Sequence, residues 1–314
     1  MKANKVIPKL SVIIITYNQE DVIRRALDSL MKQIDYIFEI CISDDCSKDR
    51  TWDVLMEYKN RYPTVFNLNR NESNLGIFQN VEQSWTMPHG DIIYQLAGDD
   101  EVPEGWFKAV IDYIRKGAIA IQEDLFCIYG DYKAVYPNGD SFIQQNKRIE
   151  SGGNPLKLAL RGLVCNRSCC YSARILKKYK TVSQGKSYIA EGAQDRQLQV
   201  WTEKNYYIPE VGNIYYTGIG VSTSISDKRK EQHMARWDYL LDNLKRWGVE
   251  VDRKDRNYIE FRKAKERHSY VLSLFYFIGS IDPKLGISGL RLRRIFFAIY
   301  RRFPFKRRLV DFKV

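Results

Sequence analysis

Three acidic residues in a row follow an apolar run in this sequence. Four of the six residues 92–97 are Ile, Tyr or Leu, and Gly98 then leads into Asp99, Asp100 and Glu101. Neighbouring ionised carboxylates are too costly to bury in an apolar core, so this segment belongs at a surface. Carboxylate oxygens together with phosphate oxygens are the ligands that Mg²⁺ prefers. The pattern therefore predicts a metal and phosphate site, although an acidic turn at the start of a helix explains it equally simply.

Two earlier apolar runs end in a similar way. Residues 10–15 lead into a Thr-Tyr-Asn turn, and residues 38–43 lead into two adjacent aspartates. Apolar runs of this length are typical of strands buried on both faces of a parallel sheet. The carboxyl ends of parallel strands lie at one edge of the sheet, where open α/β sheets bind ligands. We therefore expect these residues to meet in one crevice: Tyr17, Asp44, Asp45, Asp99 and Asp100.

The segments between the apolar runs have the apolar spacing of helices. The order β-α-β-α-β-α-β over residues 10–97 predicts an α/β fold with a mostly parallel sheet and right-handed crossovers. Neither G-x-G-x-x-G nor G-x-x-x-x-G-K-S/T occurs in the sequence, so no glycine-rich fingerprint for phosphates is present. We therefore expect a metal ion to hold the phosphates.

The composition is that of a globular protein. The 314 residues are 44% hydrophobic and 28% charged, which is enough to build a large core. The six cysteines show no C-x-x-C spacing and the three histidines are scattered, so neither a structural zinc site nor a disulfide framework is expected. The apolar run within residues 270–281 is shorter than the ~20 residues that a membrane-spanning helix needs. We expect a cytoplasmic protein without a transmembrane helix.

Four short motifs together resemble family 2 glycosyltransferases of the GT-A fold, over roughly residues 8–225. They are Val12-Ile13-Ile14-Ile15-Thr16-Tyr17-Asn18, Ser43-Asp44-Asp45-Cys46-Ser47-Lys48-Asp49-Arg50-Thr51, Asn74-Leu75-Gly76 with Asn80, and Gly98-Asp99-Asp100-Glu101 with Pro103 and Trp106. The resemblance implies a Rossmann-like, mostly parallel sheet with flanking helices as a catalytic domain over residues 1–225. It also implies an inverting transfer of a sugar from a nucleotide-sugar, with a UDP-sugar as the expected donor, to an acceptor hydroxyl.

The resemblance also implies which residues bind the nucleotide-sugar. Tyr17 would stack on the base, Asp45 would accept a hydrogen bond from it, and Asp99 would bind Mg²⁺ or Mn²⁺. Tyr17 as a plain surface turn residue is the structural alternative. The full set of implied binding residues is Thr16, Tyr17, Asn18, Asp44, Asp45, Asn74, Gly76, Asp99 and Asp100. For Asn74, capping of the following helix is an equally good explanation.

A second catalytic feature lies further along the chain. Gln194-Asp195 resembles the family's Glu-Asp pair at a helix start, so Asp195 would be the base that takes the proton from the acceptor hydroxyl. A helix-capping aspartate is the structural alternative, and Glu191 is the second candidate base. The sequence departs from the family pattern at the first metal acid, at the Glu of this pair and at two cationic positions, which are here Ala97, Gln194, Thr217 and Ile219.

Residues 226–314 have helical periodicity, and the basic charge is concentrated at their end. Residues 287–314 hold nine Lys or Arg against one acid, and their apolar residues fall on one helical face. This pattern is typical of an interfacial helix on an anionic membrane, although a helix packed on the catalytic domain is the alternative. We expect a peripheral protein on the inner face of the cell membrane that acts on a glycan or a lipid-linked acceptor. Nucleic acid is not an expected partner, because the basic residues surround an apolar stripe.

Two other functions are compatible with parts of the sequence. A sugar nucleotidyltransferase shares a similar sheet, but it would carry a glycine-rich turn after the first strand, where Thr16-Tyr17-Asn18 stands. A non-catalytic adaptor that binds membrane or nucleic acid would explain the departures from the family pattern. Metal-dependent binding of a nucleotide-sugar would exclude the adaptor.

Overall fold

A computed structural model describes residues 7–146, 166–178, 198–218, 227–246 and 249–266, together with residues 269, 273, 274, 277 and 278. Eight strands form one sheet. Their bounds are β1 Leu10–Thr16, β2 Glu39–Asp44, β3 Phe66–Arg70, β4 Ile92–Ala97, β5 Phe126–Val135, β6 Ser141–Gln144, β7 Cys169–Ser172 and β8 Lys204–Tyr216.

Seven α-helices lie in the described ranges, and two of them follow the sheet in sequence. They are α1 Ile23–Met31, α2 Thr51–Arg61, α3 Ile77–Ser84, α4 Trp106–Tyr113, α5 Arg174–Lys178, α6 Asp227–Arg246 and α7 Arg253–Glu266. The first half of the chain therefore has the predicted order of alternating strands and helices.

The sheet has the order β3-β2-β1-β4-β7-β5-β6, and β8 pairs with β5. Strands β1 to β4 are parallel, whereas β7 runs antiparallel to both of its neighbours, β4 and β5. Strand β5 therefore points the same way as β4, and β8 is parallel to β5. The carboxyl ends of β1, β2, β4, β5 and β8 consequently lie at one edge of the sheet. The predicted α/β class with a mostly parallel sheet is confirmed.

Both faces of the central strands are covered by helices. Val12 and Ile14 belong to the apolar cluster that contains α1, α2 and α4, and Ile13 between them belongs to the cluster that contains α3. All three side chains are fully buried. This explains why β1 is an unbroken apolar run, because a strand covered on both faces has no solvent-facing positions.

Trp106 at the start of α4 packs against the two strands β5 and β8. A Cβ atom added at Gly130 or at Gly212 would lie 2.7 Å from atoms of the Trp106 ring, and the ring itself is buried. Only glycine allows the two backbones to approach the indole this closely. The contact fixes the start of α4, and with it the end of the acidic loop that precedes the helix.

The chain divides into two compact units, Met1–Glu250 and Val251–Val314. Helix α6 belongs to the first unit, where Tyr239 meets Phe78 edge to face at 5.1 Å between ring centroids. The second unit contains α7, in which Phe261 contacts Phe277 at 5.4 Å. The expected boundary between residues 225 and 226 stays a prediction.

The basic segment 287–314 lies outside the described residues, so its membrane-binding role also stays a prediction. Of the helices that the structure does describe, none combines the length and the apolar character needed to cross a bilayer.

Glu39, at the amino-terminal end of β2, provides a pH-dependent contribution to stability. The Ser11 hydroxyl donates to Oε1 at 2.7 Å, the His89 main-chain N–H donates to the same oxygen, and His89 Nδ1 lies 3.2 Å from Oε2. Burial raises the pKa of Glu39, but these hydrogen bonds outweigh burial and the net pKa is below its ordinary value. The stabilisation is therefore present above the unfolded-state pKa of about 4.3 and is lost as the pH falls through the lower folded-state pKa.

Glu39→Gln is expected to lower the free energy of unfolding by about 1–3 kcal/mol at pH 7, because buried donors lose a charged acceptor. The difference from wild type should shrink as the pH falls below about 4.3, towards about pH 3. Urea unfolding at pH 7 and at about pH 3 measures it. Glu57→Gln is the control, since Glu57 forms an exposed ion pair with Arg24. An equal loss of stability at both pH values would contradict the assignment.

Candidate active site

The loops after β1 and β2 are tied together at the carboxyl edge of the sheet. Thr16 and Asp44 are register partners, and the main-chain N–H of Asp45 donates to the Thr16 carbonyl at 2.9 Å. The Asn18 N–H donates to Ser47 Oγ at 2.9 Å, and Asn18 has a φ of +51°, a left-handed conformation that Asn tolerates. The structure thus brings together the polar turns that follow the first two strands.

The loop after β4 joins the same edge through Gly98. Ile15 of β1 pairs with Ala97, the last residue of β4. A Cβ atom at Gly98 would lie 2.2 Å from Gln19 Oε1, and this oxygen also accepts a hydrogen bond from Thr16 Oγ1 at 2.8 Å. A side chain at this position would displace the Gln19 amide from its hydrogen bond with Thr16, so glycine favours this close passage of the acidic loop over the first turn.

Asp45 fastens the loop that follows β3. Its Oδ1 accepts hydrogen bonds from Asn71 Nδ2 at 2.9 Å and from the Leu75 N–H at 2.8 Å, and its Oδ2 accepts one from the Gly76 N–H at 2.8 Å. Only 2% of Asp45 is exposed. A carboxylate has about four acceptor positions, and three are used here. The expected contact of Asp45 with a nucleotide base stays a prediction. The structure shows a second role for Asp45, which is to hold the loop that forms a wall of the crevice.

Asp44 points into the protein. Its side chain has no exposed surface, Ser47 donates to it from both Oγ and the main-chain N–H, and Arg70 Nε lies 3.4 Å from Oδ2. Burial raises the pKa of Asp44 above its ordinary value even though Ser47 and Arg70 favour the carboxylate. The structure therefore places Asp44 beneath the crevice, where it supports the turn that carries Asp45.

The remaining predicted binding residues differ in exposure. Tyr17 is 43% exposed at the mouth of the β1 turn, so its ring is free to stack on a ligand. Asn74 is exposed, and within the described residues its side chain makes no hydrogen bond. Helix α3 begins after Gly76, which has a φ of +84°, and has no side-chain cap. Asn74 therefore does not cap this helix.

A buried amide network that the sequence did not reveal supports the Asp45 loop. Asn80 Oδ1 accepts hydrogen bonds from Ser43 Oγ at 2.6 Å and from Asn71 Nδ2 at 3.0 Å, and Asn80 Nδ2 donates to the Ser43 carbonyl at 3.0 Å. Asn69 donates to both Ser43 and Asn71. Asn80 stood within a recognised motif, which was the single signal of this network in the sequence.

Asp99 and Asp100, the two aspartates of the loop after β4, have different environments. Burial raises the pKa of both aspartates, and it raises that of Asp100 to about 7. Asp100 is buried, with Arg167 Nη1 3.3 Å from Oδ2. Asp99 is partly exposed, and its carboxylate makes no hydrogen bond to another described side chain. Asp99 is therefore the more available of the two.

Two arginines that the sequence analysis missed flank these acids. Arg25 of α1 donates from Nη2 to the Asp99 carbonyl at 2.6 Å, and its Nε lies 3.3 Å from Glu101 Oε1. The guanidinium carbons of Arg25 and Arg167 lie 3.7 Å and 3.6 Å from the ring centroids of Tyr216 and Tyr215, respectively. Stacking on the two rings of β8 holds both cations beside the acidic loop.

The residues at the crevice fit a divalent cation held jointly with a ligand. In the described ranges, no three His, Cys, Asp or Glu side chains form a group that could hold a metal alone. Mg²⁺ does not require such a group, because it is usually bound by one or two carboxylates, by water and by phosphate oxygens. The available carboxylate of Asp99 meets that requirement. The predicted base Asp195 and its alternative Glu191 lie outside the described residues, so their roles stay predictions.

Comparison with solved structures identifies the fold. The chain aligns with the crystal structure of Staphylococcus aureus TarS 1-349 in complex with UDP-GlcNAc with a TM-score of 0.60 and 17% identity, covering 96% of this chain and 95% of that one. Mannosyltransferase PcManGT from Pyrobaculum calidifontis in complex with GDP-Man and Mn²⁺ aligns with a TM-score of 0.51 and 13% identity, covering 95% and 82%. The chain therefore has the predicted GT-A fold.

Sequence comparison gives the family. Chondroitin synthase of Escherichia coli is 24% identical over 256 residues, which are 78% of this chain and 34% of that protein. TarS, a poly(ribitol-phosphate) beta-N-acetylglucosaminyltransferase of Staphylococcus aureus, is 33% identical over 110 residues, or 34% and 19%. The chain spans about a third or less of the length of the curated relatives it matches. The model of glycosyl transferase family 2 matches residues 11–179, more than half of the sequence, and the chain belongs to this family.

Proposed function

We propose that the chain is an inverting glycosyltransferase that moves a sugar from a UDP-sugar to a hydroxyl of a glycan or lipid-linked acceptor in cell-surface polysaccharide biosynthesis. The observation that carries this proposal is the meeting of three loops at one sheet edge, with the exposed ring of Tyr17 and the available carboxylate of Asp99. The complex of the TarS neighbour with UDP-GlcNAc supports the donor class. The activity of the relative chondroitin synthase supports the polysaccharide context.

The donor is bound by residues of the sheet edge. Tyr17 stacks on the base, and the loop fastened by Asp45 forms the wall of the nucleotide pocket. Asp99 holds Mg²⁺ or Mn²⁺, which when bound neutralises charge on the departing diphosphate. Arg25 and Arg167 add two positive charges beside the same acids. They supply positive charge that this chain lacks at Thr217 and Ile219, where the family pattern has cations.

The transfer itself needs one base. Asp195 takes the proton of the acceptor hydroxyl as its oxygen bonds to the anomeric carbon, and the bond from that carbon to the diphosphate breaks with its electron pair leaving on UDP. Attack occurs on the face opposite the leaving group, so the anomeric configuration is inverted. We further propose that the basic segment 287–314 binds the anionic inner face of the cell membrane, where a lipid-linked acceptor would be found.

Hydrolysis and binding of a panel of UDP-, GDP- and dTDP-sugars, with Mn²⁺ or with EDTA, test this proposal. We expect slow Mn²⁺-dependent release of UDP from one UDP-sugar, and NMR of the released sugar should show inverted configuration. Asp195→Asn is expected to lower transfer by about 10²-fold or more while UDP binding persists, because general-base catalysis contributes 10²–10⁴-fold. If no nucleotide-sugar binds in the presence of Mn²⁺, the catalytic proposal fails and the non-catalytic adaptor takes its place.

A further inference from the structure

The hairpin of β5 and β6 exposes aromatic rings on one face. Tyr136 is 44% and Phe142 41% exposed. The ring centroids of Tyr136 and Phe142 are 6.0 Å apart, and those of Tyr132 and Phe142 are 6.4 Å apart. Phe142 pairs with Ala134, which lies between the two tyrosines on the same side of β5. We call Tyr132, Tyr136 and Phe142 the aromatic face.

The aromatic face continues into the candidate active site. Ala134 pairs on its other side with Tyr215 of β8, and the Arg167 guanidinium lies over the Tyr215 ring and beside Asp100. Phe142 and Tyr215 are separated by one intervening strand, which corresponds to about 10 Å. Because β5 is parallel to β4, the hairpin turn projects from the edge that also carries Asp99.

The hairpin is held in one conformation by its own hydrogen bonds. The Tyr136 N–H donates to the Asp140 carbonyl at 2.8 Å, and the Gly139 N–H donates to the Tyr136 carbonyl at 2.9 Å. At the other end, the Asn146 N–H donates to Asp131 Oδ1 at 2.8 Å. The rings are therefore presented by a preorganised support, which lowers the entropic cost of binding.

We infer that the aromatic face is an acceptor subsite that binds pyranose rings of a glycan by stacking. Aromatic rings offer large apolar area at fixed positions, and the apolar C–H faces of sugars match them. Asn138, Asp140 and Gln144 on the same hairpin provide exposed polar groups for hydroxyls. The inference rests on the proposed function, because it names the surface along which the acceptor would reach the Asp99 edge.

Charge and area favour a glycan over other occupants. Residues 136–144 contain one acid, Asp140, and no Lys or Arg, so this hairpin lacks the cations with which a protein binds an anionic membrane. Tyr136 and Phe142 expose 44% and 41% of their surfaces, which is a small part of the ~800 Å² per partner in a stable protein interface. A short oligosaccharide is the partner whose size matches the face.

Ligand-observed NMR titrations of the full chain with cellohexaose and with a chondroitin hexasaccharide test the subsite. We expect at least one of these probes to bind wild type, and Phe142→Ala and Tyr136→Ala each to weaken that binding about fivefold or more. Ile143→Ala is the matched control. Ile143 is 54% exposed but lies on the opposite face of β6, so this variant should bind like wild type. Thermal melting checks that each variant folds.

Failure of the subsite and failure of the proposed function are distinguishable, since wild-type binding of UDP is titrated separately and concerns the donor alone. Absence of binding of both glycans to wild type overturns the subsite, as does an equal effect of Ile143→Ala. If Phe142→Ala instead abolishes binding to anionic vesicles, or changes the oligomeric state, the face belongs to a membrane or to a second copy and the inference is wrong.

Discussion

Asp99→Asn is expected to reduce Mn²⁺-dependent release of the nucleoside diphosphate by about 10²-fold or more, the usual effect of removing one group that stabilises developing charge. The amide has nearly the same size as the carboxylate, and the contact from Arg25 is to the main-chain carbonyl of residue 99, so the loop should keep its shape. The substitution therefore removes the negative charge that would bind the cation and leaves the shape of the loop unchanged. Initial rates measured across a Mn²⁺ titration give the effect.

Asp91→Asn is the matched control for this change. Asp91 lies just before β4, at the end opposite Asp99, where its Oδ2 accepts a hydrogen bond from the Lys9 N–H at 3.0 Å. Its rate should equal that of wild type. Metal-dependent turnover that persists in Asp99→Asn and disappears with EDTA would show that another group binds the cation, and the metal assignment would be wrong.

Asp45→Ala is expected to lower the free energy of unfolding by about 3 kcal/mol or more. Three donors, from Asn71, Leu75 and Gly76, lose a charged acceptor, and each hydrogen bond to a charged group contributes about 1.5–3 kcal/mol. Residues 75 and 76 should then detach from the turn that follows β2 and widen the nucleotide pocket. We expect UDP to bind about tenfold more weakly or worse. Urea unfolding gives the stability, and calorimetric titration at a temperature where the variant is folded gives the affinity.

Asp53→Ala provides the comparison for the second prediction. Asp53 is exposed on α2 and pairs with Arg50 at 3.9 Å, a surface contact of little value. If Asp45→Ala proved as stable as Asp53→Ala, the hydrogen bonds to the loop would contribute nothing. If stability fell but UDP affinity did not, the loop would support the fold without forming the pocket wall.

The fold of the first half of the chain was predictable because its central strands, β1, β2 and β4, are buried on both faces. Strands of this kind leave continuous apolar runs, and residues 10–15 and 92–97 are such runs. Strand β7 was not predicted. It has four residues, Cys169–Ser172, and is too short to show a periodicity.

Of the residues in the candidate site, only those that come directly after a strand could be predicted from the sequence. The aspartates after β2 and β4 could be found in this way. Arg25 and Arg167 could not, because their partners in the acidic loop are 74 and 67 residues away in sequence and are reached through helix and sheet packing. The hydrogen bonds from the loop to Asp45 could not be predicted for the same reason, since the partners of Asp45 are 26 to 31 residues away in sequence.

The position of β7 in the sheet has a consequence for how the chain folds. Strand β4 ends at Ala97, but the strand that pairs with its edge away from β1 is β7, at Cys169–Ser172. Strand β5 also pairs with β7, so it cannot join β4 in the sheet until β7 has been synthesised. During synthesis, the β1 to β4 module therefore exists with an unpaired apolar edge. Non-local pairings of this kind slow folding, and unpaired edges favour association between chains. We expect the nascent chain to be most prone to aggregation until residue 172 has emerged and docked between the two halves of the sheet.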